Sequence, residues 1–266
     1  EIPQQNIVVK KKYDDYGYLE RIPLKGIRKT IAQNMIRSQT EAAQVTAMED
    51  IDVSSLWGLR EKEKKNAEKQ GVKLTFLPFI IKACIAALKE NPILNSSLEG
   101  KAEQGSANPR SGDGTSDEEI IIKKYYNIGV AVETDVGLMV PVVKIAESKS
   151  IISLAREIAE LAEKARKRTI DLMDLHGSTF TITNYGSIGG TYGTPIINPG
   201  EAGILGLGRI FDRAVFDDKG KLKSVKILPV SLTFDHRILD GAQAARFLES
   251  LKMFLEDPDH LMLEMK

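Results

Sequence analysis

The chain has 266 residues, enough to bury one large core or two modest ones, and 42% of them are hydrophobic, as in ordinary globular proteins. Lys and Arg number 37 and so do Asp and Glu, which excludes a global attraction to nucleic acid or to an anionic membrane. The single cysteine, Cys84, excludes an internal disulfide and favours a reducing compartment. Because no apolar run is long enough to span a bilayer and no signal peptide is recognisable, we expect a cytoplasmic protein without membrane partners.

The first half of the chain predicts a linker followed by a folded domain. Residues 1–20 mix charge, Tyr and Gly without a sustained period, so we interpret them as a linker remnant and place the domain at residues 21–266. We then predict a helix after Gly26, a strand from Gln44 to Val53, a helix capped by Ser54 or Ser55, and a core helix from Lys73 to Leu88 that buries Cys84. Residues 100–119 are rich in Gly, Ser and acid, which predicts a flexible insertion between strands.

The second half alternates strands and helices irregularly. We predict a hairpin that turns at Thr134–Gly137, an amphipathic helix from Ser150 or Ser153 to Arg168 and a short helix at Asp171–Leu175. A strand at Ser178–Thr183, a glycine-rich loop and a strand at Ala202–Leu207 should follow. A hairpin across Asp217–Gly220 and a last helix over Ala242–Leu255 complete the prediction. Such an irregular order favours an α/β fold of the two-layer α+β sandwich type, a mixed sheet with helices on one face.

The strongest candidate for chemistry is the segment SLTFDHRILDG at residues 231–241, a buried strand that runs into His236. A rigid strand end holds an imidazole in fixed geometry, as a general base requires. Histidines more often have structural roles, and His176 at a helix end and His260 in a polar tail are interpreted in that way. Asp240 fits a capping box with Gln243, a role that alone accounts for an aspartate at this position.

A second candidate is the pair Thr183 and Asn184 at the end of a strand, just before the glycine-rich loop. A threonine there is unremarkable for a strand, and a functional role requires its hydroxyl to point into a shared pocket. The chain contains no Walker loop, HExxH, paired CxxC or G-x-S-x-G motif, so we predict no metal site.

Five segments, in order, resemble the catalytic domain of the dihydrolipoamide acyltransferases, the core components of 2-oxo acid dehydrogenase complexes. They are IPLKGIRKTIAQNM, KLTFLPFIIKA, NIGVAVETDVGLMVPVVK, GSTFTITNYGSIGGTYGTPIINPGEAGILGLG and DHRILDGAQAARFL, and they span residues from about Ile22 to Lys266. Five ordered motifs are far more specific than one. Chloramphenicol acetyltransferase has a similar histidine signature, but typically with a second histidine where this chain has Asp235.

The resemblance implies a chloramphenicol acetyltransferase-like, trimer-forming fold and transfer of an acyl group from a lipoyl group, carried on a separate domain, to coenzyme A. In this family His236 would be the base, Thr183 the donor to the oxyanion, and Asp240 a residue that orders the site. By motif position, the implied coenzyme A contacts are Arg60, Thr75, Glu133, Asn184, Gly208 and Ile210. Glu133 and Thr183 stand where other members have Asp and Ser, and the insertion at 100–119 departs from a shorter family loop.

The implied partners are further copies of the chain, the lipoyl domain, a 2-oxo acid decarboxylase and dihydrolipoamide dehydrogenase. Trimers of the family assemble into hollow shells through the C-terminal end, and the apolar Leu261, Met262, Leu263 and Met265 fit that role, although packing within the chain fits as well. Two alternatives stay open: a non-catalytic scaffold, and a free-standing acetyltransferase for a small acceptor. The loop wording GSIGGTYGTP favours an acetyl or branched-chain group over succinyl.

Overall fold

The computed structural model describes residues 10–100 and 118–264. Its helices are α1 (Ile27–Glu41), α2 (Ser54–Glu68), α3 (Leu77–Glu90), α4 (Ile151–Arg166), α5 (Gly241–Glu256) and α6 (Pro258–Glu264). Its strands are β1 (Lys10–Asp14), β2 (Gly17–Arg21), β3 (Gln44–Asp52), β4 (Ser96–Gly100), β5 (Glu118–Ile122), β6 (Ile128–Val130), β7 (Val132–Thr134), β8 (Gly137–Met139), β9 (Val142–Val143), β10 (Phe180–Asn184), β11 (Gly203–Leu207), β12 (Phe211–Phe216) and β13 (Leu222–Asp235). Among the described residues, none of the helices has the length and apolar character needed to cross a lipid bilayer.

The 14-residue strand β13 organises the main sheet. One of its edges pairs antiparallel with β3, and the other pairs with β11 and then with β12. Leu232, for example, lies between Ala47 of β3 and Leu205 of β11. Beyond β11 the sheet continues through β10, β6 and β9, with β10 parallel to both of its neighbours. The sheet is therefore mixed, as predicted.

The two faces of the sheet differ in chemistry. Along β13 the even-numbered side chains Val230, Leu232 and Phe234 belong to the main core, which also takes in nearly all of α3 and the apolar sides of α4 and α5. The odd-numbered Ser231 and Thr233 are buried on the opposite face. There the irregular, glycine-rich segment 185–202 contacts Ser231 through Tyr185 and Gly193, and Thr233 is hydrogen-bonded to Thr46 of β3. This confirms a two-layer sandwich with the core helices on one face.

Most elements predicted from local patterns are present. Ser150 caps α4 by accepting a hydrogen bond from the Ser153 amide. The predicted buried thiol, Cys84, has 0% exposure in α3, and burial raises its pKa far above the ordinary value, so a nucleophilic role is excluded. The turn at Thr134–Gly137 joins β7 to β8. The predicted flexible insertion lies for the most part outside the described residues, but its ends, Gly100 and Glu118, pair as strands.

Three local features differ from the expectations. Residues 10–21, most of which were interpreted as a linker remnant, contain the β1–β2 hairpin; β2 buries no face, so it leaves no hydrophobic period in the sequence. Neither serine caps α2, whose N-cap is Val53, because the Ser54 hydroxyl instead donates to Asp52 and accepts from the Lys226 amide, joining the helix to β13.

The third concerns the tail around His260, predicted to be polar and irregular. It forms α6, in which Leu261 is buried and the His260 ring stacks on Phe254 at 5.5 Å. Leu261 thus packs within the chain, whereas Met262 and Leu263 are 53% and 83% exposed. Met265 lies outside the described residues.

Candidate active site

His236 follows the last residue of β13 and carries an exposed side chain. Its backbone amide donates to the Ala43 carbonyl at 2.8 Å, and its ring centroid lies 5.8 Å from that of Phe234. The backbone around the imidazole is therefore fixed by contacts with the segment between α1 and β3. The predicted strand end is present, and it fixes the direction in which the Cα–Cβ bond of His236 leaves the backbone.

The residues on either side of His236 form an ion pair that the sequence analysis did not identify. Asp235, 2% exposed, accepts hydrogen bonds from the amides of Ala43 at 3.1 Å and Arg237 at 3.0 Å. The Asp235 carboxylate also accepts hydrogen bonds from the Arg237 guanidinium, and the distance from Nη2 to Oδ2 is 2.7 Å. Burial acts to raise the pKa of Asp235, but the hydrogen bonds and charge of Arg237 together outweigh it, so the pKa lies below the ordinary value. The pair clamps the turn that carries the imidazole.

Asp240 is the N-cap of α5, and the predicted capping box is present. Its carboxylate accepts from the Gln243 amide at 2.8 Å, and the Gln243 side-chain oxygen accepts from the Asp240 amide at 2.9 Å. The cap holds the carboxylate at the start of the helix, four residues after His236. This is the structural role that the sequence indicated, and it keeps the turn between His236 and α5 ordered.

Thr183 lies at the other end of the sheet from His236. The register pairs Thr183 with Gly206 of β11, and Gly206 with Ser231 of β13. Two strand spacings, about 10 Å, therefore separate Thr183 from Ser231, and the five residue steps from Ser231 to His236 add about 16 Å at right angles. The two Cα atoms are about 19 Å apart by this reckoning, too far for both side chains of one chain to contact the same reacting atom.

Arg60 and Thr75, expected at the nucleotide end of coenzyme A, are brought close together. The Arg60 Nε donates to the carbonyl of Leu74, the residue before Thr75, at 3.0 Å, and the guanidinium lies 5.5 Å from the centre of the Phe76 ring and contacts Glu61. Arg60 also borders a cavity of about 390 Å³. The cavity is lined by Arg60, Lys64, Glu68, Gly71, Val72, Lys73 and Leu74. Three basic side chains against one acidic side chain suit an anionic ligand.

The other four expected contacts lie toward the Thr183 end of the sheet. Asn184 ends β10 and accepts from the Ser187 amide at 3.3 Å. Gly208 has no room for a side chain, since a Cβ would lie 2.0 Å from the Thr191 carbonyl oxygen. Ile210 is two residues further on and packs partly against the core. Glu133 follows β6, which is parallel to β10, and so projects beyond the same end of the sheet.

Another buried group that the sequence did not reveal is Glu201, which is 5% exposed. Its Oε1 accepts from Ser178, from Thr181 at 2.9 Å and from Asn198 at 2.8 Å, so it joins β10 to the end of the glycine-rich segment. Burial raises its pKa above the ordinary value, against the opposing effect of these hydrogen bonds. In the sequence, a glutamate after Pro-Gly is typical of an exposed turn, and no local signal marks it as buried.

Comparison with known proteins identifies the family. The model of the 2-oxoacid dehydrogenases acyltransferase (catalytic domain) family matches residues 17–263. The dihydrolipoyllysine-residue acetyltransferase component of the pyruvate dehydrogenase complex of Bacillus subtilis is 42% identical over 244 residues, which are 92% of this chain and 52% of that protein. The chain thus spans about half the length of the curated relatives that it matches.

Solved structures agree. Dihydrolipoamide acetyltransferase of Azotobacter vinelandii, studied for the roles of a serine, a histidine and an asparagine in its catalytic mechanism, has a TM-score of 0.83 and 39% identity, covering 98% of this chain and 99% of that one. The cubic core of the pyruvate dehydrogenase multienzyme complex also has a TM-score of 0.83, with 38% identity and the same coverage. This chain therefore belongs to the 2-oxoacid dehydrogenase acyltransferase family, of which it contains the catalytic domain.

Proposed function

We propose that this domain transfers an acyl group from a dihydrolipoyl thioester to coenzyme A within a 2-oxo acid dehydrogenase complex. The observation that carries the proposal is the position of His236 in a chain of this family. The histidine is held at the end of β13 by the Ala43 carbonyl and by the Asp235–Arg237 ion pair. The relatives are named as acetyltransferases, which supports acetyl as the acyl group over a branched-chain one. The lipoyl group is a substrate that another domain presents.

In the proposed reaction His236 takes the proton from the coenzyme A thiol as the sulfur attacks the thioester carbonyl. A thiol with a pKa of about 8.5 is mostly protonated at neutral pH, so a positioned base that takes its proton during the attack makes the sulfur a better nucleophile. A new C–S bond forms, and the Thr183 hydroxyl donates to the resulting oxyanion. The C–S bond to the dihydrolipoyl arm then breaks, and the leaving sulfur receives the proton from His236. Asp240 orders the turn and carries no proton.

A second copy of the chain completes this site. His236 and Thr183 lie about 19 Å apart in one chain, whereas the reaction needs both within hydrogen-bond reach of neighbouring atoms. The separation requires only a second copy; we infer from the family resemblance that the oligomer is a homotrimer in which the histidine of one copy faces the threonine of the next. The exposed Met262 and Leu263 are available to join trimers into a hollow core, and the cubic core formed by a similar protein supports this. The decarboxylase and the dihydrolipoamide dehydrogenase would bind to that core.

Coenzyme A would enter from the Thr183 end of the sheet. Arg60 would bind its phosphates beside Thr75, with Lys64 and Lys73 of the same cavity adding positive charge. Asn184, Gly208 and Ile210 would line the path toward Thr183, since all three lie at this end of the sheet. Glu133 would border the same path from β7.

The decisive experiment is a thiol-release assay with acetyl coenzyme A and dihydrolipoamide. The wild-type chain should turn over, and His236→Ala should reduce kcat by about 10²–10⁴-fold without changing the particle size measured by light scattering. His260→Ala, a change at a histidine far along the chain in α6, is the matched control and should keep near-normal kcat. No turnover by the wild type would favour the scaffold alternative, and turnover with a small alcohol or amine alone would favour the free-standing acetyltransferase.

A further inference from the structure

Tyr185 occupies a socket made of glycines beside Thr183. A Cβ added at Gly206 would lie 2.6 Å from the Tyr185 ring, and one at Gly190 or Gly193 would lie 3.0 or 3.2 Å from it. A side chain at Gly206 would force the ring to move, and one at Gly190 or Gly193 would press against it. Two of the loop glycines, at 190 and 193, therefore leave the space that this ring occupies.

The ring is fixed at both of its ends. The Tyr185 amide donates to the Leu207 carbonyl at 3.1 Å, and the Tyr185 hydroxyl contacts the Ser231 hydroxyl at 2.9 Å. Ser231 is fully buried and also accepts from the Gly193 amide at 3.4 Å. Because the backbone and the phenol oxygen are both held, the ring cannot swing away from the sheet without breaking these hydrogen bonds.

The register places this ring next to the candidate oxyanion donor. Thr183 and Gly206 are directly opposite each other on β10 and β11, and the ring covers Gly206. Neighbouring strands lie about 4.8 Å apart. Gly206 pairs with Thr183 and with Ser231, and the Tyr185 ring lies over Gly206 and bonds to Ser231, so the ring and the Thr183 side chain are on the same face of the sheet. The ring therefore forms a wall beside the Thr183 hydroxyl.

We propose that Tyr185 determines acyl specificity by limiting the space beside Thr183 to an acetyl group. The inference rests on the function proposed above, in which the thioester oxygen is hydrogen-bonded to Thr183. The acyl carbon chain then begins about 3–4 Å from that hydroxyl, and the ring wall is reached within one further carbon. A branched acyl chain would have to displace a ring whose phenol oxygen and backbone amide are both hydrogen-bonded.

The test is the acyl-chain preference of the Tyr185→Leu variant. The measured quantity is a ratio, kcat/KM for isobutyryl coenzyme A divided by kcat/KM for acetyl coenzyme A, with dihydrolipoamide as the acceptor. One methyl or methylene group in an apolar pocket changes kcat/KM by about 10–200-fold, so this ratio should rise by at least about 10-fold in the variant. Tyr185→Phe keeps the ring and should keep the wild-type ratio. If Tyr185→Leu does not assemble, Tyr185→Met provides the same comparison with an unbranched side chain.

Tyr192→Leu is the matched control in the same loop. Tyr192 is 44% exposed and bonds to Asp50 at 2.6 Å, outside the glycine socket, so its loss loosens the loop without opening the wall. The ratio should stay at the wild-type value in this variant. An unchanged ratio in Tyr185→Leu, or an equal rise in Tyr192→Leu, would overturn the inference while leaving the proposed function intact. A wild-type chain inactive with every acyl group would instead overturn the proposed function.

Discussion

If each active site takes His236 from one copy and Thr183 from another, two inactive variants should restore each other when they are mixed. In an oligomer made only of His236→Ala chains, every site lacks the base. In an oligomer made only of Thr183→Val chains, every site lacks the oxyanion donor. Loss of the base costs about 10²–10⁴-fold and loss of one oxyanion donor about 10²–10³-fold, so each variant alone should keep about 1% of wild-type kcat or less. A mixed oligomer, however, contains interfaces at which neither defect is present.

The expected recovery follows from the separation of about 19 Å, which prevents a site within one chain. With equal amounts and random assembly, a given site has an intact histidine with a probability of about one half and an intact threonine with the same probability, so about a quarter of the sites are complete. The whole product of joint refolding should therefore show about a quarter of wild-type kcat in the thiol-release assay. Trimers isolated through two different affinity tags are all mixed, so they should show about a third, because one site of the three is complete in each.

In the matched control, the mixing experiment is repeated with the double variant His236→Ala/Thr183→Val in place of the Thr183→Val single variant. Mixed with His236→Ala, the double variant produces no site with an intact histidine, so activity should stay at the level of the single variants. Failure of recovery in verified mixed oligomers would refute the shared site, because it would mean that each site is built from residues of a single chain.

Two further predictions concern stability. Ile145 is 55% exposed and has φ 48°, a left-handed conformation that costs a β-branched residue about 1–2 kcal/mol. Ile145→Asn should therefore raise the free energy of unfolding, measured in urea, by about 1 kcal/mol. Ile122→Asn, in an extended strand, is the control, and a lower free energy of unfolding for Ile145→Asn would contradict the argument. Burial raises the folded-state pKa of Glu201 above its unfolded value of about 4.3, so its ionisation destabilises the fold as pH rises through that range. The stability of Glu201→Gln relative to the wild type should therefore increase as pH rises above about 4.3, the unfolded-state pKa of a glutamate, and a difference that does not vary with pH would exclude this cause.

The parts of the site that a few consecutive residues determine were predictable from the sequence. The capping box of Asp240 and Gln243 spans one helical turn, so its donors and acceptors are fixed by local geometry alone. The strand that ends at His236 was marked by buried apolar residues up to Phe234. Likewise Arg60 and Thr75 were placed together by motif order, and in the structure the Arg60 side chain is hydrogen-bonded to the carbonyl of Leu74, the residue before Thr75.

Other parts depend on which distant segments lie side by side, and local patterns carry no information about that. Asp235 needs the Ala43 amide as well as Arg237, and only the pairing of β3 with β13 brings Ala43 to it. Tyr185 needs Gly206, which the β10–β11 register supplies. The β1–β2 hairpin was missed for a different reason, since strands that bury no side show no alternation.

The polar face of the main sheet explains how the fold can hold the glycine-rich segment 185–202 in one position. The hydroxyls of Thr46 and Thr233 are hydrogen-bonded at 2.7 Å, the Ser231 hydroxyl is hydrogen-bonded to that of Tyr185, and the Glu201 carboxylate accepts a hydrogen bond from the Thr181 hydroxyl. Apolar packing is tolerant of small shifts, whereas buried hydrogen bonds are lost when donor and acceptor move apart by more than a few tenths of an ångström. A buried polar face costs stability if any member is unpaired, as the pH dependence expected for Glu201 would reveal. In return it fixes the register of the loop against the strand that carries Thr183, to the accuracy that a hydrogen bond to an oxyanion demands.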